Sequence, residues 1–296
     1  FADANAVFNY SDWGHDVLKT ESNGAINCLG SAPPSADAAY QPVEDKKQHK
    51  NSLGFESDTK IIGTIMRNQR RKLFPDLFES FRKFLDITKK QNVFLYCHTS
   101  YPDIGWDIPK LLNKHGLSSK VLFTYVCHDC EHAFPSFFAD AKTKCSRCGS
   151  GNAGLSSVRN GVSCEFLSTI MNTFDLYIQY ANSEGFGLPQ VEAAACGVPV
   201  MSVDYSAMSS VVRKLEGIPL KPKALYAELE TGCNRAVPDN DLTAKEMVKF
   251  FEKSDEEQKK IGINTREKFK EHYQWDQTAK KWEDYFDSVE IRPEEE

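Results

Sequence analysis

Two hydrophobic periods alternate along this chain. Short, β-rich apolar runs read as buried strands: Lys60 to Met66 (KIIGTIM), Val93 to Cys97, Val121 to Tyr125, Asp175 to Gln179 and Val198 to Val203. Between them the period lengthens to that of a helix. From about Pro75 to Lys89, Leu77, Phe78, Phe81, Phe84 and Leu85 make one apolar face at spacings of 3, 4 and 7. Trp106 to His115 predicts a second helix stopped by Gly116, and Ser163 is placed to cap a third that ends at Asn172. Strands alternating with helices predict an α/β fold, a Rossmann-like parallel sheet with helices on both faces. Ligands of such sheets bind beyond the carboxyl ends of the strands.

One segment after a strand is chemically distinctive: SEGFGLPQVEAAACGVPV, from Ser183 to Val200. Glu184 and Glu192 lie eight positions apart across a glycine-containing turn that opens a helix. Gly185 and Gly187 let backbone approach a ligand closely, and Pro189 suits the first helical position. Free N–H groups at such a start, with the positive end of the helix dipole, make a site for phosphate. Carboxylates only accept hydrogen bonds, so two of them beside phosphate suit a ligand rich in hydroxyls, such as a sugar nucleotide. A dinucleotide fingerprint is excluded, because Gln190 stands where its third glycine belongs. The segment resembles the Glu-x7-Glu motif of retaining GT-B glycosyltransferases, the family-4-like group.

The loop Arg67-Asn68-Gln69-Arg70-Arg71-Lys72 follows another strand and so opens on the same rim. Four of its six residues are cationic. Arg can fork two phosphate oxygens and Lys offers a compact charge, both suited to a departing diphosphate. The resemblance implies that Arg67 and Lys72 hold the donor diphosphate, with a spacing one residue shorter than the commonest pattern. Asn68-Gln69-x-x-Lys72-x-x-Pro75 also resembles the loop of GT-B enzymes that use a Gln and a Lys, which adds Gln69. Arg70 and Arg71 read equally as solvated surface charges. His98 ends its strand on this rim, either touching the donor or serving structure. By resemblance, Glu184 would bond sugar hydroxyls, Glu192 ribose hydroxyls, and the N–H groups of Gly185, Phe186, Gly187 and Leu188 phosphate.

Cys127, Cys130, Cys145 and Cys148 form two C-x2-C pairs with 14 residues between them, close to structural zinc spacing. Four thiolates complete a closed tetrahedron, so the metal would fold a small module and do no chemistry. Two redox pairs are the competing reading, and His128 or His132 could replace a cysteine. Phe134, Phe137 and Phe138 can serve as the module's own small core. Nearby Lys142, Lys144 and Arg147 are balanced by Asp129, Glu131 and Asp140, which favours an inserted structural loop over a nucleic-acid reader. Cys28, Cys97, Cys164, Cys196 and Cys233 read as small buried apolar residues.

Composition changes little. In 296 residues, 41% hydrophobic and 26% charged describe an ordinary globular protein, and 36 − 42 = −6 argues against a nucleic-acid surface. No apolar run approaches a membrane span and nothing at the start marks secretion, so a cytoplasmic location is expected. Asp239-Asn240-Asp241 imitates the D-x-D string of metal-dependent transferases of another fold; after Pro238 it reads as a turn and helix cap, and no catalytic metal is expected.

The resemblance divides the chain into three parts. Residues 1–57 would be the tail of an N-terminal acceptor domain (a strand and helix to Glu21) and an interdomain linker. Residues 58–270 would be the donor-binding domain, with the zinc ribbon inserted at about 126–150, and 271–296 a C-terminal helix and acidic tail. The chain would then be a fragment or one part of a split enzyme, completed by an N-terminal domain in cis or on a separate chain. The whole would move a hexose from a UDP- or GDP-linked donor to a hydroxyl of a glycan, lipid or protein, while this chain binds donor with little transfer. Two other readings stand: a GT-B-like nucleotide-binding or regulatory protein without turnover, and a zinc-ribbon interaction module on an α/β scaffold.

Overall fold

The computed structural model describes residues 3–139 and 142–289. Asp140 and the acidic tail from residue 290 lie outside that range. β1 (Val7–Asn9), α1 (Asp12–Glu21) and β2 (Cys28–Ser31) make a small parallel βαβ unit, and α2 (Lys46–Ser52) follows. The first half of the main sheet is β3 (Lys60–Ile65), α3 (Phe74–Thr88), β4 (Val93–His98), α4 (Ile108–His115) and β5 (Val121–Cys127). β6 (Ala133–Phe137) and β7 (Ala153–Leu155) belong to the cysteine-bearing insertion. The second half is α5 (Cys164–Met171), β8 (Leu176–Gln179), α6 (Leu188–Ala195), β9 (Val200–Val203), α7 (Ala207–Lys214) and β10 (Ile218–Leu220). A hairpin, β11 (Ala224–Ala227) and β12 (Asn234–Val237), precedes α8 (Asn240–Phe251), α9 (Asp255–His272) and α10 (Trp275–Ser288).

The strand order is β10-β9-β8-β3-β4-β5-β6, with β7 also paired to β5. Both faces are buried, as the near-continuous apolar strands require. Ile62, Leu95, Cys97, Leu176 and Ile178 pack with α3, α4 and α8, while Ile61, Tyr96 and Tyr177 pack with α5, α6 and α7. From β3 the chain winds outward to β4 and β5, then returns to β8 on the other flank and winds to β9 and β10. The switch point therefore lies between β3 and β8, where parallel sheets open a crevice.

The sheet is not purely parallel. β6 and β7 run antiparallel to β5, because the insertion turns back along the strand it leaves. Its aromatics are consequently not a separate core: Phe134 and Phe138 pack on the main one, and Phe137 is exposed against Phe94. Cys164 and Cys233 are exposed rather than buried, and Cys28 is half-buried. β2 and α2 fall in the segment read as linker. α2, KKQHKNS, has no apolar period; Asp45 caps it, and Lys50 anchors it to Asp175 at 2.7 Å beneath the sheet. Asp239 caps α8 by accepting from Leu242 N at 2.9 Å, and Asp241 pairs with Lys83. No helix of the described residues is long and apolar enough to cross a membrane.

Candidate functional site

The loops after β3 and β8 meet at the switch point and are joined by backbone. Lys72 and Ala181 form an antiparallel bridge, Leu73 N donates to Tyr180 O at 3.1 Å, and Asn182 N donates to Arg71 O at 2.9 Å. This seam places the cations of one loop beside the carboxylate of the other. Glu184 accepts from the buried Lys72 Nζ, from Arg71 Nη1 at 2.5 Å and from Gln179 Nε2 at 3.2 Å. Its own N–H is held by Ser206 Oγ at 2.9 Å. Burial lowers the Lys72 pKa, an effect that Glu184 opposes.

α6 begins at Leu188 after Gly187, whose φ of +90° is a left-handed conformation that L side chains rarely adopt. Pro189 takes the second helical position rather than the first. A Cβ on Gly185 would meet nothing within 4 Å, so the loop is open there, while Phe186 is buried against Tyr273. Glu192 sits just over one turn into α6 and is half-buried. Burial pushes its carboxyl up to about 7, with Asp37 adding to the shift and the Tyr40 hydroxyl pulling the other way.

Arg67 is turned toward the next loop, where Nε and Nη2 fork Asp103 at 2.9 and 3.1 Å. Arg70 and Arg71 are exposed, and Gln69 is half-buried, its backbone bridging Arg67 and Lys72. His98 Nδ1 lies 2.9 Å from Thr124 Oγ1, and burial drops its pKa to about 4, so the ring is neutral at pH 7. The anticipated site residues thus share one rim, with His98 tied into the sheet. Sequence reasoning did not single out Asp103, Tyr40 or Gln179, and it quoted Asn68 only as part of the loop string. It missed Arg235 too, which carries Ser183 through the β11–β12 hairpin. None of them sits in a repeating pattern, because each is marked only by its tertiary partner: Arg67 for Asp103, Glu192 for Tyr40, Glu184 for Gln179, Trp106 for Asn68 and Ser183 for Arg235.

The four cysteines also converge. Their sulfurs lie within 4.8 Å of one another, Cys127 to Cys148 and Cys130 to Cys145 both at 3.7 Å. A tetrahedron with Zn–S bonds of about 2.3 Å has edges of about 3.8 Å, so the donor set fits zinc. The two pairs share one turn: Glu131 N donates to Cys127 O at 2.9 Å and Gly149 N to Cys145 O at 3.0 Å. Both donors have positive φ, 56° at Glu131 and 73° at Gly149. His132 stacks on Phe134 and His128 lies near Asn160, so among the described residues the converging ligands are the four thiols.

Residues 158–268 match the family described as glycosyl transferases group 1. The lipopolysaccharide core biosynthesis mannosyltransferase LpsB of Rhizobium meliloti (strain 1021) is 24% identical over 177 residues, 58% of this chain and 39% of that protein. Sucrose-phosphate synthase from Thermosynechococcus elongatus superposes with a TM-score of 0.68 at 16% identity, over 97% of this chain and 58% of that one. Anabaena HepE, solved with UDP and glucose, gives 0.65 at 14% identity, over 97% and 64%. This chain therefore spans under two thirds of each relative. Over that span its fold is that of part of the GT-B glycosyltransferases, and the segment holding Glu184 and Glu192 lies within the match to the group 1 transferases.

Proposed function

We propose that this chain is the donor-binding part of a retaining glycosyltransferase that moves a hexose from a nucleoside diphosphate to an acceptor hydroxyl. The observation that carries this reading is the seam at the switch point, which sets Glu184 against Lys72 and Arg71. In this chain both cations pair with Glu184. On donor binding they would turn to the diphosphate, and Glu184 would turn to the sugar hydroxyls. Glu192 would accept from the ribose, and the N–H groups from Gly185 to Leu188 would cradle phosphate. Arg67 and Lys72 would stabilise the charge that develops on the leaving diphosphate, with Gln69 and His98 bordering the donor. No metal is needed for this. HepE was solved with UDP, which favours uridine as the base to test first. Free thiols fit a cytoplasmic protein.

Calorimetric titration with UDP, GDP and ADP and their glucose and mannose conjugates tests the reading. Saturable binding of one base is expected, weakened about tenfold or more by Glu192→Ala, the loss of two charge-assisted hydrogen bonds. Silence with every nucleotide would sink the proposal, and robust transfer by the chain alone would sink its donor-only form. The cysteine centre is proposed to hold one structural zinc. Metal analysis of a Cys127→Ser, Cys130→Ser double variant should find none, and unchanged zinc content would refute the assignment.

A further inference from the structure

One segment is gripped by both the cysteine module and the cation loop. It is the stretch from Thr99 to Asp107, between β4 and α4. On the module's side, Phe138 packs edge-on against Tyr101 at 5.8 Å and against Phe123 at 5.9 Å. Beyond β7, Ser156 Oγ donates to Thr99 O at 3.4 Å, while Ser156 N is fixed to Thr124 O at 2.9 Å. Phe138, midway along the module, and Ser156, just beyond its last strand, thus hold this segment at two points.

On the other side the segment holds the cations. Asp103 forks Arg67, and its carboxylate is itself fixed by the Ser100 hydroxyl and by Ile104 N at 2.8 Å. Asn68 and Trp106 exchange two hydrogen bonds, both 2.8 Å, and Trp106 Nε1 donates to Lys72 O at 2.7 Å. The fit admits no slack: a Cβ on Gly105 would stand 2.6 Å from Asn68 O. An exposed arginine in a simple surface pair is weakly held. Here the partner acid is locked by two further bonds, so the arginine's direction is set in advance.

We propose that the cysteine module braces the phosphate-facing cations through residues 99–107, with Asp103 as the positioning residue for Arg67 and the Phe138–Tyr101 contact as the joint. The inference rests on the donor-site reading for its consequence, but not for the mechanical link. A module with this little apolar content folds with its metal. Metal loss therefore frees Phe138 and Ser156, loosens the segment and disperses Arg67 and the backbone of Lys72.

Hydrogen exchange of the whole chain, read by mass spectrometry with and without a zinc chelator, tests the link. Chelation should speed exchange in residues 127–155 and also in 99–107 and 67–72, while α9 stays unchanged. Phe138→Ala should keep zinc, speed exchange at 67–72 and weaken UDP about fivefold or more, the ordinary scale of coupling between sites. Phe138→Leu, which keeps an apolar contact, should restore both. Asp103→Asn should keep zinc and the exchange pattern of 127–155, yet weaken UDP by a similar factor. An exchange change confined to 127–155 would overturn the brace. UDP, GDP and ADP all failing to bind the wild-type chain while 67–72 still responds to chelation would refute the nucleotide reading and uphold the brace.

Discussion

At the scale of single residues, Glu192 and His98 have been moved in opposite senses by the same cause. Burial raises the Glu192 carboxyl to about 7 and lowers the His98 imidazole to about 4. Near neutrality, then, the carboxyl titrates and the imidazole stays neutral. If Glu192 accepts from a ribose, UDP affinity should climb as pH rises through about 7, since only the carboxylate accepts twice. Glu192→Gln should abolish that climb in a calorimetric series. Stability runs the other way. The folded pKa lies above the ordinary carboxyl value of 4.5, so the folded state binds the extra proton and loses stability as pH rises from there through about 7. Denaturant melts should find the gap between wild type and Glu192→Gln moving in the variant's favour across that window. Glu184 and Lys72 could be proposed from sequence because each stands in a recognisable string. Tyr40 and Asp103 could not, since what matters about them is a contact with a residue far along the chain.

At the scale of elements, the same contrast separates strands from the pieces around them. The central strands were legible because burial on two faces writes an unbroken apolar run, and α3 because its stripe has one period. α2 has neither signal. It exists because Lys50, 2% exposed, reaches Asp175 and Thr59 O, and because Asp175 also accepts from Ile61 N at 2.8 Å. Removing one partner of a buried pair leaves the other charge stranded. Lys50→Ala should therefore cost about 3–5 kcal/mol in denaturant unfolding. Replacing Lys50 and Asp175 together with apolar residues should recover much of that loss. The β11–β12 hairpin was equally silent in the sequence: β11 is exposed along its length, and its purchase on the rim comes from Arg235 and Tyr226 reaching Ser183 and Asn182.

At the scale of the whole molecule, a small βαβ unit and a larger sheet are tied by the last helix. Thr278 Oγ1 donates to Pro33 O at 2.5 Å, and Trp282 packs on Phe8 at 4.6 Å. Lys214 crosses from α7 to Asp12 at 2.6 Å, so the two parts meet through polar as well as aromatic contacts. Truncation before Trp275 should expose this junction, with faster proteolysis around Phe8 as the expected readout. Lastly, the backbone seam of Lys72 with Ala181 has a kinetic meaning. If this rim binds the proposed donor, a surface whose two loops are already joined by backbone has no slow folding step to wait for. Among related nucleotides, arrival rates should then be alike, and preference should appear as residence time, longest for the base that fits.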